Sequence, residues 1–221
     1  MFIVEDTHTR YNAEAELDWI RHKISRYILG GTMAIILASS SPRRRQLLEQ
    51  VGLSFTVVTS EVEEKNCQGS SPAQTATLLA EKKALAVAAK AEADDIVIGA
   101  DTIVVVDNQV FGKPDHPSQA REMLHILSGR CHQVMTGIAV VKGKSVWSDV
   151  QVTQVIFRNL KPDEIERYIA SGEPADKAGG YAIQGLGVLL VEKIEGCYTN
   201  VVGLPLVTLS RLLIKAGVRM L

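Results

Sequence analysis

The sequence predicts an α/β protein with a mixed β-sheet flanked by helices, and three observations carry that expectation. Apolar, β-branched runs such as "DIVIGADTIVVV" and "QVMTGIAVV" read as buried strands. Ser-Pro pairs at Ser41-Pro42 and Ser71-Pro72 open helical stretches between them. Turn signals at Asp107-Asn108 and Lys142-Gly143-Lys144 fold neighbouring runs into hairpins, so the sheet is not purely parallel.

Along the chain, residues 1–32 read as an N-terminal extension without a catalytic role. Between Ala13 and Leu29 the apolar positions Leu17, Ile20, Ile24 and Ile28 form a one-sided helical stripe, and Gly30-Gly31 ends it. The functional domain is expected over 33–221, opening on the strand-like run "MAIILASS". A helix follows from Ser41-Pro42, with the serine as N-cap, to about Gln50, and Gly52 stops it. "FTVVTSEVEE" alternates as a strand that ends in acid. The helix from Ser71-Pro72 carries Gln74 at the capping-box position and an Ala/Leu-rich face, and runs to about Ala93. Two β-branched runs on either side of Gly-Ala-Asp-Thr come next, the second turning at Asp107-Asn108. Then follow a helix over Pro117–Leu127 stopped by Gly129, a long hairpin, and a short helix over Glu164–Ala170. "YAIQGLGVLLVEKI" reads as a glycine-broken strand, and Leu204–Ala216 as the closing helix.

Composition narrows the function classes. The chain has 221 residues, 46% hydrophobic and 22% charged, which suits one domain or two closely packed lobes that fold without disulfide or metal staples. Lys plus Arg is 24 and Asp plus Glu 25, a net charge of -1, without the basic excess of a protein that lives on nucleic acid. Cys67, Cys131 and Cys197 are scattered, which argues against a disulfide framework or a structural zinc site. No apolar run approaches the roughly 18 residues of a membrane span. The acidic residues Glu5, Asp6, Glu14, Glu16 and Asp18 do not suit a targeting peptide, so the expected address is the cytoplasm. No G-x-S-x-G, P-loop or histidine ligand spacing occurs.

Four features carry chemistry. In "LASSSPRRRQLL", Arg43, Arg44 and Arg45 stand in the first turn of a helix, whose unpaired N–H groups and dipole already favour an anion. Cations there disfavour the helix itself, which suggests an arriving phosphate; the stretch alone is equally a solvated face. Acids stand at strand ends: Glu61, Glu63 and Glu64 close one strand and Asp101 another. Carboxylates facing arginines fit metal-assisted phosphoryl transfer, although any one of the glutamates also fits a solvated loop. Lys83 on the Ala-rich helix and Lys113 in "FGKP" are candidates that also read as surface lysines. "DKAGGYAIQG" is rich in glycine around Gln184, whose amide can read a base edge, or is a simple turn cluster.

Together, "LASSSPRRRQLL", "EVEE", "LLAEKKA", "IGADTIVV", "GKP", "MLHILSGRCHQVMTG", "DKAGGYAIQG" and "VVGLPL" stand in the order found in the Maf family of nucleoside triphosphate pyrophosphatases, which this chain resembles from about Ala34 to Leu213. The resemblance implies an ITPase-like α/β fold with two lobes and a central cleft, usually dimeric. It implies cleavage of a nucleoside triphosphate between the α- and β-phosphates with a divalent cation, Mg²⁺ or Mn²⁺. It assigns Ser39, Arg43, Arg44, Asp176 and Lys177 to substrate, Lys83 and Lys113 to catalysis, and Glu64 and Asp101 to catalysis and metal. Arg44, Thr102 and Gln184 match the branch of dTTP/UTP pyrophosphatases. Gly180 stands where alanine is common, and Arg45 has no assigned role and reads as solvated. No stable nucleic-acid or membrane partner is expected. The alternative class is a nucleotide- or nucleic-acid-binding regulator of septum formation; the paired acids weigh against it, because they repel phosphates.

Overall fold

The strands that the sequence marks most densely with β-branched residues are the longest ones and run the length of the sheet. The computed structural model describes residues 33–60, 62 and 69–221. The stripe between Ala13 and Leu29, and Glu61, Glu63, Glu64 and Cys67, lie outside the described residues. The elements are β1 (Ile35–Ala38), α1 (Pro42–Gln50), β2 (Thr56–Val57), α2 (Pro72–Ala88), β3 (Ile96–Val106), β4 (Gln109–Phe111), α3 (Pro117–Leu127), β5 (Cys131–Lys142), β6 (Ser145–Phe157) and α4 (Pro162–Ala170). Three 3₁₀ turns, Glu173–Asp176, Ala178–Gly180 and Gly185–Leu190, lead to β7 (Val191–Glu195), α5 (Tyr198–Val202) and α6 (Leu206–Lys215).

The seven strands form one mixed sheet in the order β2-β1-β3-β5-β6-β7, with β4 paired to the far end of β3. β1 pairs in parallel with β2 and β3, and the remaining pairs are antiparallel. The β3–β4 hairpin turns where expected, with Asp107 and Asn108 both at positive φ (48° and 62°), the conformation a tight two-residue hairpin requires.

One face of the sheet carries α2. Its Ala76, Ala80 and Ala84 are fully buried on one row of the helix. A Cβ at Gly99 would stand 2.3 Å from the Ala80 carbonyl oxygen, and one at Gly137 2.2 Å from that of Ala76. The helix therefore lies in backbone contact with the sheet, which only glycine at those two strand positions permits. The opposite face is covered in two parts. At one end α1 and α6 pack Leu47, Leu48, Leu209, Leu212 and Leu213 against Ile96, Ile98 and Ala100. At the other, α3 and α4 pack Leu124, Leu127, Ile165 and Tyr168 against Val104, Val106 and Phe157. These are the two lobes of an α/β fold, and a cleft lies between them.

Several element boundaries differ from expectation. Among the described residues, the strand read over "FTVVTSEVEE" pairs only at Thr56–Val57, against Ile36 and Leu37 of β1. Gly-Ala-Asp-Thr does not separate two strands: β3 runs unbroken through Asp101, which is therefore inside a strand rather than at its end. "YAIQGLGVLL" is a loop over Tyr181–Gln184 followed by the 3₁₀ turn Gly185–Leu190, and a strand begins only at Val191. Here the Glu173 carboxylate accepts from the Leu186 and Gly187 amides (2.8 and 3.1 Å), taking N–H groups that a ladder would use. The closing helix expected over Leu204–Ala216 is α6, and the short α5 before it, beyond Gly203-Leu204-Pro205, was not expected. Helix α2 ends at Ala88 instead of near Ala93, and α4 begins at Pro162 instead of Glu164. Ser41 is the N-cap of α1 without a side-chain cap bond. Ser71 does cap α2 through Gln74 N, but the Gln74 side chain accepts from Ser70 rather than Ser71.

Candidate active site

The cleft opens where β3 loses its neighbour. Pairing with β1 stops at Gly99, and pairing with β4 begins at Val104. Between them Asp101 and Thr102 keep their β5 partners, Gly137 and Thr136, but have no strand on the other edge among the described residues. Successive residues of a strand point to opposite faces. Asp101 shares its face with Gly99 and meets α2; Thr102 shares its face with Ala100 and meets α1. One strand edge thus delivers an acid and a hydroxyl to opposite walls of a single cavity of about 890 Å³, within the range of small-molecule sites.

On the α2 wall, Lys83 Nζ donates to Asp101 Oδ1 at 2.5 Å, with 13% and 9% of the side chains exposed. On the other wall, the loop Ser39–Ser41 brings β1 into the first turn of α1. A helix start at the end of a parallel strand presents unpaired N–H groups to a ligand. Arg44 is held by three bonds: Nε to the Gly203 carbonyl (2.8 Å), Nη1 to Ser39 Oγ (3.0 Å) and Nη2 to Thr102 Oγ1 (3.0 Å). Gly203 ends α5 at φ 118°, a backbone region that favours glycine.

The third wall is the loop through the 3₁₀ turns. Arg43 Nη1 lies 3.9 Å from Asp176 Oδ2, and Lys177 Nζ donates to the other Asp176 oxygen. Burial pushes the Arg43 pKa down from the ordinary arginine value, with the Asp176 charge opposing it. Burial works against the Asp176 carboxylate, but the Lys177 hydrogen bond and the Lys177 and Arg43 charges outweigh it, so its pKa falls. Tyr181 anchors this loop to β5, its hydroxyl 2.6 Å from His132 Nε2, and Tyr168 Oη accepts from Ala182 N at 3.2 Å. Gln184 and Lys113 line the same cavity, Lys113 from the segment after β4.

Ten of the eleven residues singled out from the sequence, Ser39, Arg43, Arg44, Lys83, Asp101, Thr102, Lys113, Asp176, Lys177 and Gln184, therefore line one cleft; Glu64 lies outside the described residues. Arg45 points away and pairs with Glu49 at 2.8 Å on the exposed face of α1. Sequence reasoning passed over Thr136, His132 and Gly203. Each lies within a stretch quoted for the resemblance, but no titratable pattern or spacing distinguishes them from packing residues.

No group of three His, Cys, Asp or Glu side chains that could hold a metal occurs among the described residues. A hard cation of the Mg²⁺ type keeps much of its water and needs only one or two carboxylates plus substrate phosphates. Asp101, buried at the cavity wall, is a carboxylate of the kind such a cation takes.

The family model described as Maf-like protein matches residues 34–216. A dTTP/UTP pyrophosphatase of Moorella thermoacetica is 52% identical over 186 residues, 83% of this chain and 95% of its own. One of Vibrio cholerae is 52% identical over 181 residues, 82% of this chain and 97% of its own. Among solved structures, the Staphylococcus aureus Ham1 protein is similar over 70% of this chain and 77% of its own, at 16% identity and a TM-score of 0.40.

Proposed function

From the premise that the chain belongs to the Maf-like protein family, we propose that its cleft hydrolyses dTTP and UTP to the nucleoside monophosphate and pyrophosphate. Water's oxygen joins the α-phosphorus, the α–β bridging bond breaks, and pyrophosphate leaves. The observation that carries this reading is the placement of one buried carboxylate, Asp101, in the same cavity as Arg43, Lys113, Lys177 and the start of α1. Phosphoryl transfer asks mainly for positioned charge, and this cleft supplies both signs on facing walls. The two relatives of 52% identity, each named a dTTP/UTP pyrophosphatase, support the substrate class.

In this reading Arg43, Lys113 and Lys177 hold phosphate oxygens, with the N–H groups of the α1 first turn behind them. Asp101 takes the proton of the attacking water, and Lys83 holds its carboxylate in place. Asp101, Glu64 and the nucleotide's phosphates would hold Mg²⁺ or Mn²⁺. When bound, such a cation neutralises phosphate charge and makes its water more acidic. Arg44, Thr102 and Gln184 face the base, where a glutamine amide matches the carbonyl and N3–H of uracil or thymine. Asp176 sets Arg43 and Lys177 in register across the cleft mouth.

The assignment of residues 1–32 as a non-catalytic extension and 33–221 as the enzyme domain belongs to the same proposal. So do a homodimer and a cytoplasmic address. Cys131 and Cys197 are free thiols, and no helix among the described residues is long and apolar enough to cross a membrane. The test is product identity: dTTP or UTP with Mg²⁺ should yield pyrophosphate and monophosphate one for one. Orthophosphate as the primary product would overturn the reading.

A further inference from the structure

Behind Arg44 lies a chain of hydroxyls and amides that leads away from the cleft. We propose that Thr136 and Asn200, which do not line the cavity, are positioning residues that fix the proton direction of Thr102 and thereby the edge Thr102 presents to the nucleotide base. The proposal rests on the reading of Arg44 and Thr102 as base-selecting residues and deepens it.

Proton counting gives the direction. The Asn200 backbone carbonyl can only accept, and Thr136 Oγ1 donates to it at 3.1 Å. That uses the one hydroxyl proton of Thr136, so at its 2.9 Å contact with Thr102 Oγ1 it accepts. The one proton of Thr102 is therefore spent on Thr136. Arg44 Nη2, a donor in every state, then meets a Thr102 lone pair at 3.0 Å, as it must. The line from Arg44 through Thr102 and Thr136 to the Asn200 carbonyl thus runs in one direction, each hydroxyl giving its one proton to the next acceptor. Thr102 consequently turns acceptor capacity, and no proton, toward the cleft.

Asn200 is fully buried and clamps the far end. Its Nδ2 donates to the Val134 carbonyl and to Thr153 Oγ1, both at 2.9 Å. Thr153 Oγ1 in turn accepts from Cys197 N (3.0 Å) and donates to Cys197 O (3.2 Å). Helix α5 is thus fastened to β5 and β6 at its first turn, and its last residue leads into Gly203, whose carbonyl receives Arg44 Nε. Two routes from one buried asparagine converge on the same guanidinium.

The chemistry separates pyrimidines. Thymine and uracil carry a proton on N3, which an acceptor-only hydroxyl receives. Cytosine carries a lone pair there, which meets the Thr102 lone pair and is repelled. If Thr136 cannot accept, the Thr102 proton is released and can serve cytosine.

The test compares kcat/KM for dTTP and dCTP in the full chain and in Thr136→Val, Thr136→Ala, Thr136→Ser, Thr102→Val and Thr102→Val/Thr136→Val, with thermal unfolding alongside. Thr136→Val should lower the dTTP:dCTP preference about tenfold, through KM with kcat within about twofold. Thr136→Ala should do the same should the valine fail to fold, and Thr136→Ser should keep the wild-type preference. Adding Thr136→Val to Thr102→Val should change nothing further. An unchanged preference in the folded Thr136 variants, or a loss that adds in full to that of Thr102→Val, overturns the proposal. If Thr102→Val itself leaves the preference intact, the base-selecting reading of Thr102 falls. The relay is then judged by the KM for dTTP: a rise in Thr136→Val that needs Thr102 supports it, and no rise overturns it.

Discussion

Lys83 Nζ and Asp101 Oδ1 stand 2.5 Å apart, contributed by a helix and a strand that glycine brings into backbone contact. The pair is nearly closed to solvent, so each side chain depends on the other. Replacing Asp101 by asparagine keeps the volume and a hydrogen-bond acceptor but removes the charge. Pyrophosphate release from dTTP should fall by about 10²–10⁴-fold, the range of a lost acid–base group, while circular dichroism stays unchanged. Near wild-type turnover would remove Asp101 from the chemistry.

Lys83→Met removes the other half and leaves the carboxylate buried without this cation. The expected cost is about 3 kcal/mol in urea unfolding, since a broken buried pair leaves an uncompensated charge. The double variant Lys83→Met/Asp101→Asn should recover much of that loss without recovering activity. A double variant no more stable than Lys83→Met would show that the Asp101 charge is not the source of the cost.

The three consecutive arginines should separate in function. Arg45→Ala loses only an exposed pair with Glu49 and should change stability by no more than about 0.5 kcal/mol, with kcat/KM within about twofold of wild type. Arg43→Ala removes a partly buried cation facing Asp176 and should raise KM for dTTP about tenfold or more. Equal effects of the two would contradict the geometry.

His132 predicts a pH dependence of stability. Burial against Phe157 and Tyr181 pushes its pKa down from 6.5 to about 4, so the folded state holds the ring neutral. Between those values the unfolded chain binds the proton that the folded one refuses. The stability that His132 allows is therefore fully present above pH 6.5 and is lost as pH falls toward 4, by about 3 kcal/mol at most. Urea midpoints for wild type and His132→Gln should diverge over that window, with the wild type falling faster. Parallel curves would count against a buried neutral histidine.

Removal of residues 1–32 should leave kcat/KM for dTTP within about twofold, because every described cleft residue lies between Ala38 and Gly203. A loss of tenfold or more would assign the extension a part in catalysis.

The sequence by itself determined which residue types would meet and in what order the elements run. Apolar β-branched runs and proline starts were enough for α1, α2, α3 and the β3–β4 and β5–β6 hairpins because those signals are local: a proline at N1, a glycine past a helix end, two positive φ angles at Asp107-Asn108 and one at Gly143. The glycine-broken strand failed for the opposite reason. Glu173 is more than ten residues from the amides it captures, and no local pattern carries that bond. Position along β3 was also beyond the sequence. Asp101 looks like a strand end because Gly-Ala-Asp-Thr interrupts an apolar run, yet β3 continues, and the site exists because β1 stops beside it at Gly99. The resemblance already set Arg45 apart from Arg43 and Arg44, but tertiary structure decided which partner each arginine meets. Arg43, Arg44 and Arg45 share charge, chain position and helix. Only the helix's rotation sends one to Asp176, one to Thr102 and Gly203, and one to Glu49. Residue chemistry travels with the sequence, but its direction is set by packing.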